Sequence, residues 1–116
     1  MTLNTELKAA WVKAANSGGR LEIIHPDTLS PKEASASLIQ LLQSTYTNHA
    51  ISRRPRQLQH DIESNIVKPW FVTRDNIPVA CAALVKQEDD TVELGRAVSI
   101  ENGTGVGKIA MLTAVM

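Results

Sequence analysis

This chain has little cysteine, no excess charge of either sign and no long apolar run, and each shortage excludes something. A single cysteine, Cys81, leaves no partner for an internal disulfide and no multi-cysteine zinc site. Twelve Lys and Arg against twelve Asp and Glu give a formal net charge of zero. Domains held to nucleic acid by bulk charge concentrate Lys and Arg, so no nucleic-acid partner is expected. No apolar stretch approaches the ~20 residues that span a bilayer. Glu6, Lys8 and Lys13 interrupt the first turns, where a signal peptide would carry an apolar core. These absences predict a soluble, cytoplasmic protein with no membrane partner. His25, His49 and His60 lack metal-ligand spacing, so no metal is expected.

What is present reads as one globular unit, with 43% apolar and 21% charged residues. A chain of this length buries roughly two-thirds of the surface that its unfolded form exposes, so it needs no staple. The spacing of Leu3, Leu7, Trp11 and Ala14/Ala15 predicts a helix over 5–16, stopped by Gly18 and Gly19. Residues 21–25 are β-prone. Ser30-Pro31-Lys32-Glu33 is a capping box with proline at the first helical position, and Ala34, Leu38, Leu41, Leu42 and Tyr46 continue it on one side. That helix fades at 47–49, and 52–56 is a basic polar loop. Leu58, Ile62 and Ile66 repeat every four residues, predicting a further helix opened by Pro55 and closed by Pro69. Three strands follow, at 70–73, 78–85 and 91–100, with turns at Asp75-Asn76 and Glu88–Asp90. The middle strand is apolar on both faces and is expected at the centre of an antiparallel meander. The fold class is α+β (α/β). A glycine-rich loop over 101–107 leads into a helix from Lys108. It runs barely two turns before Met116, as if the chain were a piece of a longer design.

The chemistry lies in Asn102-Gly103-Thr104-Gly105-Val106-Gly107-Lys108. Glycines at alternate positions let a backbone curl so that successive N–H groups converge. The following helix adds unpaired donors and the positive end of its dipole, which together suit a phosphate or pyrophosphate. Two better-known phosphate loops fail on named residues. A Walker A loop needs glycine at Asn102 and a hydroxyl at Ile109. A dinucleotide fingerprint starting at Gly103 needs glycine at Lys108 and an acidic residue beyond Met116.

The run Glu93-Leu94-Gly95-Arg96-Ala97-Val98-Ser99, followed by that loop, resembles motif A of the GNAT superfamily of N-acetyltransferases. The motif, [Q/R]-x-x-G-x-[G/A], joins the fourth strand to the third helix of that fold. Gly105 and Gly107 match its two small positions, whereas Asn102 stands where Gln or Arg is usual. The preceding element order is similar too. The resemblance covers residues 20–116, a shortened acetyltransferase-like domain, and leaves 1–19 as an N-terminal helical extension. It implies that acetyl-CoA or another acyl-CoA binds along the fourth strand. Ala97, Val98 and Ser99 would pair with the pantetheine arm, and Asn102, Gly103, Thr104, Gly105, Val106, Gly107 and Lys108 would hold the pyrophosphate. The acceptor would be an amine, on a small molecule or a peptide, with Glu93 as the candidate base. The fifth strand and fourth helix of such a domain are absent from the sequence, so no turnover is expected of these 116 residues alone.

Simpler readings stand beside these. Glu93 also suits a solvent-facing strand position, Cys81 an inert core site, and Arg53, Arg54 and Arg56 a solvated loop. Asn102-Gly103-Thr104 matches a glycosylation sequon, which has no meaning without secretion. The alternative function is a non-catalytic interaction protein. The strand over 91–100 would expose an edge, and Ile109, Met111, Leu112 and Val115 would lack partners. A homodimer would bury both.

Overall fold

The computed structural model describes residues 3–45, 55–101 and 103–115. The region predicted to end the second helix and carry Arg53 and Arg54 lies outside the described residues, as do Asn102 and Met116. The elements are α1 (Leu3–Ala15), β1 (Leu21–Ile24), α2 (Pro31–Thr45), α3 (Pro55–Glu63), β2 (Val67–Arg74), β3 (Ile77–Lys86), β4 (Val92–Ser99) and α4 (Val106–Val115). The architecture is α+β. Among the described residues the strands form one open antiparallel sheet in the order β1-β2-β3-β4. No helix there is long and apolar enough to cross a membrane.

Local chemistry sets most boundaries. The capping box forms: Glu33 N–H donates to Ser30 Oγ at 3.2 Å, and Ser30 N–H reaches Glu33 Oε1 at 3.4 Å. The β2–β3 turn puts both Asp75 and Asn76 at positive φ (52° and 66°), the two-residue geometry whose twist matches the flanking strands. The β3–β4 turn uses three residues, with Asp90 left-handed at φ 64° and its N–H donated to the Gln87 carbonyl.

The end of α3 departs from expectation. Pro69 does not close the helix; Asn65 does. Its φ is 60°, its N–H donates to the Ile62 carbonyl, and Ile66 N–H reaches back to the Asp61 carbonyl at 2.8 Å. This is a Schellman cap with asparagine in the glycine position. Pro69 then lies inside β2, opposite Ala83. Lys86 N–H donates to the Ile66 carbonyl, and the alternation of an antiparallel ladder therefore turns the Pro69 nitrogen away from β3. β1 stops at the level of Phe71, so no ladder bond is lost there.

The sheet is covered on both sides. Leu38, Leu41 and Leu42 of α2 and Leu58 and Ile62 of α3 pack on Val67, Phe71, Cys81, Ala83 and Val98. On the other face Ala10 and Ala14 of α1 and Val106, Ile109, Ala110 and Ala114 of α4 pack on Val72, Val79, Ala80 and Ala82. β3 is thus buried on both sides, as its sequence predicted. Two expectations change here. In α1 the buried residues are the small Ala10 and Ala14, while Ala15 is exposed and Leu7 and Trp11 are half-buried. In α4, Ile109 and Leu112 are buried within the chain, so of those four apolar residues Met111 and Val115 alone remain exposed.

Candidate functional site

Three connections meet at one end of the sheet: α1–β1, the β2–β3 turn and β4–α4. β4 reaches this end through a bulge. Cys81 pairs with Val98 and Ala83 with Gly95, so two β4 residues, 96 and 97, stand opposite Ala82. Ile100 N–H donates to the Val79 carbonyl. By ladder alternation Val98 also faces β3, whereas the backbone groups of Ala97 and Ser99 point to the open edge. The run Ala97–Ser99 therefore offers two outward residues, with Val98 buried between them.

The helix starts earlier than the sequence suggests, at Val106, and Gly107 lies in its first turn. The three glycines then have different tasks. Gly103 has φ 74° and open space where a Cβ would stand. Gly105 has φ 91°, and a Cβ there would sit 3.1 Å from the Ala10 carbonyl oxygen, so α1 rests directly on the loop. A Cβ on Gly107 would come to 3.3 Å from that of Ser99, so this glycine lets α4 lie close on β4. Ile109 N–H donates to the Gly105 carbonyl as the first bond of α4. The N–H groups of Val106, Gly107 and Lys108 precede that bond and have no acceptor inside the helix.

A polar clasp braces the loop. Arg74 donates through Nε to Glu101 Oε2 at 2.8 Å and through Nη2 to Oε1 at 2.9 Å. Its third nitrogen donates to the Gly18 carbonyl. Glu101 Oε1 also accepts from the Thr104 hydroxyl at 2.7 Å. Ser99 Oγ donates to the Glu101 carbonyl at 2.8 Å and accepts from its N–H at 3.2 Å. Asp75 Oδ1 accepts from Arg20 N–H at 2.9 Å. The hydrogen bond from Arg74 is the main cause holding the Glu101 carboxyl below the usual carboxylate range, and the same bond raises the Arg74 pKa. This carboxylate is matched by a guanidinium, and Lys108 is exposed in the first turn of α4 with no ion pair among the described residues.

The remaining sequence candidates lie elsewhere. Glu93 is exposed on β4 on the far side of the bulge from the loop. Six residues separate it from Ser99, about 20 Å of strand. Cys81 is buried, and burial pushes its thiol pKa up, as an inert core cysteine requires. The clasp was not legible in the sequence, because 27 residues separate Arg74 from Glu101 and no spacing rule joins them. Set against known proteins, the chain matches no family model, and no curated protein is significantly similar to it.

Proposed function

We propose that β4, the glycine loop and α4 form the coenzyme A-binding part of an acyl-CoA-dependent N-acyltransferase of GNAT-like fold. One observation carries this reading. The outward-facing end of an edge strand runs through a loop with two positive-φ glycines into a helix N-terminus that has a lysine in its first turn. A cation there opposes the helix dipole and is unfavourable alone. A pyrophosphate on the same amides reverses that sign, satisfying Val106, Gly107 and Lys108 N–H and the Lys108 ammonium together.

The chain's own groups then have separate roles. Gly103, through its open flank, lets phosphate oxygens reach the backbone. The outward amide groups of Ala97 and Ser99 hold the pantetheine arm as a strand would be held. An outward N–H at the bulge polarises the thioester carbonyl. The acceptor amine attacks that carbon, the C–S bond breaks, CoA leaves as its thiolate, which takes a proton from solvent water, and the nitrogen gives up its own proton. Glu93, about 13 Å along the strand from Ala97, accepts that proton through water.

The test is calorimetric titration with CoA. Gly105 is a poor position to vary, since its φ and the Ala10 carbonyl make any side chain a folding defect. Gly103 is a clean one, because asparagine and aspartate tolerate positive φ. Gly103→Asn is expected to weaken CoA binding by taking up part of that open flank, and Gly103→Asp to weaken it at least about tenfold further through like-charge repulsion. An absence of binding by the parent chain at millimolar CoA, or equal binding by the two variants, overturns the reading.

A further inference from the structure

We propose that Arg74 is a positioning residue for anion binding at the glycine loop: it grips the Glu101 carboxylate by both oxygens and cancels its charge, so that a loop entered through an acid can still receive a pyrophosphate. The inference rests on the coenzyme A reading above and adds to it a residue from another strand. Glu101 is the one acidic residue after Ile100. Its carboxylate stands a single hydrogen bond from the loop, because Oε1 accepts from the Thr104 hydroxyl at 2.7 Å and Thr104 lies between Gly103 and Gly105. Unmatched, a carboxylate so placed repels any phosphate that approaches the N–H groups of Val106, Gly107 and Lys108. Arg74 matches it, with Nε donating to Oε2 at 2.8 Å and Nη2 to Oε1 at 2.9 Å. This is the planar two-point grip that a lysine does not reproduce. Among the described residues Arg74 is the one ion-pair partner of Glu101.

The surrounding fold is arranged around the arginine. Arg74 ends β2, opposite Leu21 of β1 and Ile77 of β3, so its backbone is held from both sides. The nitrogen that Glu101 leaves free donates to the Gly18 carbonyl. Gly19 has φ 77°, and a Cβ there would stand 2.7 Å from Arg74 Cγ and 2.8 Å from Asp75 Oδ2. A side chain at position 19 would therefore push the arginine stem aside, and glycine leaves it in place. The other arginine at this end, Arg20, is paired with Glu22 at 3.0 Å. A clasp that only braced the loop would weaken anion binding when broken from either side. A charge mask has a sign. Removing the acid leaves anion binding intact, whereas removing the base exposes the acid.

The test is calorimetric titration of the full chain with CoA at pH 7 and fixed salt, with urea unfolding of each variant alongside. Arg74→Met is expected to bind CoA at least about tenfold more weakly than the parent, through repulsion by the unmatched carboxylate. Glu101→Gln is expected to bind at least as tightly as the parent while being less stable to urea. The double variant Arg74→Met/Glu101→Gln should recover most of the lost affinity while remaining less stable than the parent. A purely structural clasp lowers affinity and stability together, so the two measurements separate the roles. Weaker binding by Glu101→Gln overturns the proposal and leaves the coenzyme A reading standing, as does a double variant that binds no better than Arg74→Met. If the variants lacking Arg74 do not fold, Glu101→Gln decides alone. If the parent itself shows no binding at millimolar CoA, the coenzyme A reading fails and the proposal falls with it.

Discussion

The two faces of the sheet are packed in different ways. The face under α2 and α3 is filled by long side chains: Leu38, Leu41, Leu42, Leu58, Ile62 and Phe71. The face under α1 and α4 is built largely from Ala10, Ala14, Ala80, Ala82, Ala110 and Ala114, with valine and isoleucine between them. Bulky residues hold helices off a sheet and make a thick core. Small ones bring backbones together, which is how the Ala10 carbonyl comes to 3.1 Å from the Cβ position of Gly105. The leucine face supplies burial, and the alanine face supplies close placement of α1, the glycine loop and α4. The Arg74–Glu101 clasp sits at the end of the sheet where α1 and α4 begin or leave their loops, adding direction to a face with little side-chain relief.

Three substitutions sharpen that contrast. Phe71→Ala is expected to have the largest effect, about 3–5 kcal/mol in denaturant unfolding, because a ring that is 1% exposed leaves a cavity the leucines cannot fill. Ala110→Leu should cost about 1–3 kcal/mol by overpacking the close face. A gain in stability there would show that the alanine face holds spare volume and would break the comparison. Glu101→Gln should cost least, about 1–2 kcal/mol at neutral pH, since the pair is largely shielded, at 13% and 20% side-chain exposure, but the glutamine amide oxygen still accepts from Arg74.

The Glu101 effect also has a pH signature. Its folded pKa lies below the ordinary value of 4.5, so the clasp stabilises fully above that pH. Its contribution fades as acid protonates the carboxylate through its lower folded pKa. Urea midpoints of the parent and Glu101→Gln should therefore differ at pH 7 and converge as the pH falls below 4.5 and on through the lowered folded pKa. A constant gap across that range would mean that the pair contributes shape rather than charge.

Most of the leucine face could be read along the chain. Leu38, Leu41 and Leu42 follow a capping box, and Leu58 and Ile62 lie one helical turn apart, so period and cap together located α2 and α3. The alanine face was much less legible. Alanine carries little hydropathy contrast, so periodicity in α1 pointed to Leu7, Trp11 and Ala14/Ala15, which found Ala14 but missed Ala10. In the candidate site, the glycine loop was visible as a pattern. Its division of labour, one glycine open and two in close packing, was not, because each depends on what another element places beside it.

The sequence by itself determined the order of elements, the turn at Asp75-Asn76, the α2 cap and the double-sided burial of β3. Each of these depends on residues within a few positions of one another. Only the tertiary structure decided that Pro69 could sit inside a strand, that Arg74 would meet Glu101, and that the edge of β4 would point some backbone groups outward and bury Val98 between them. The physical reason is common to all three. A missing donor, a long-range ion pair and a ladder phase are set by which strand lies alongside and where it stops, and no local propensity encodes that.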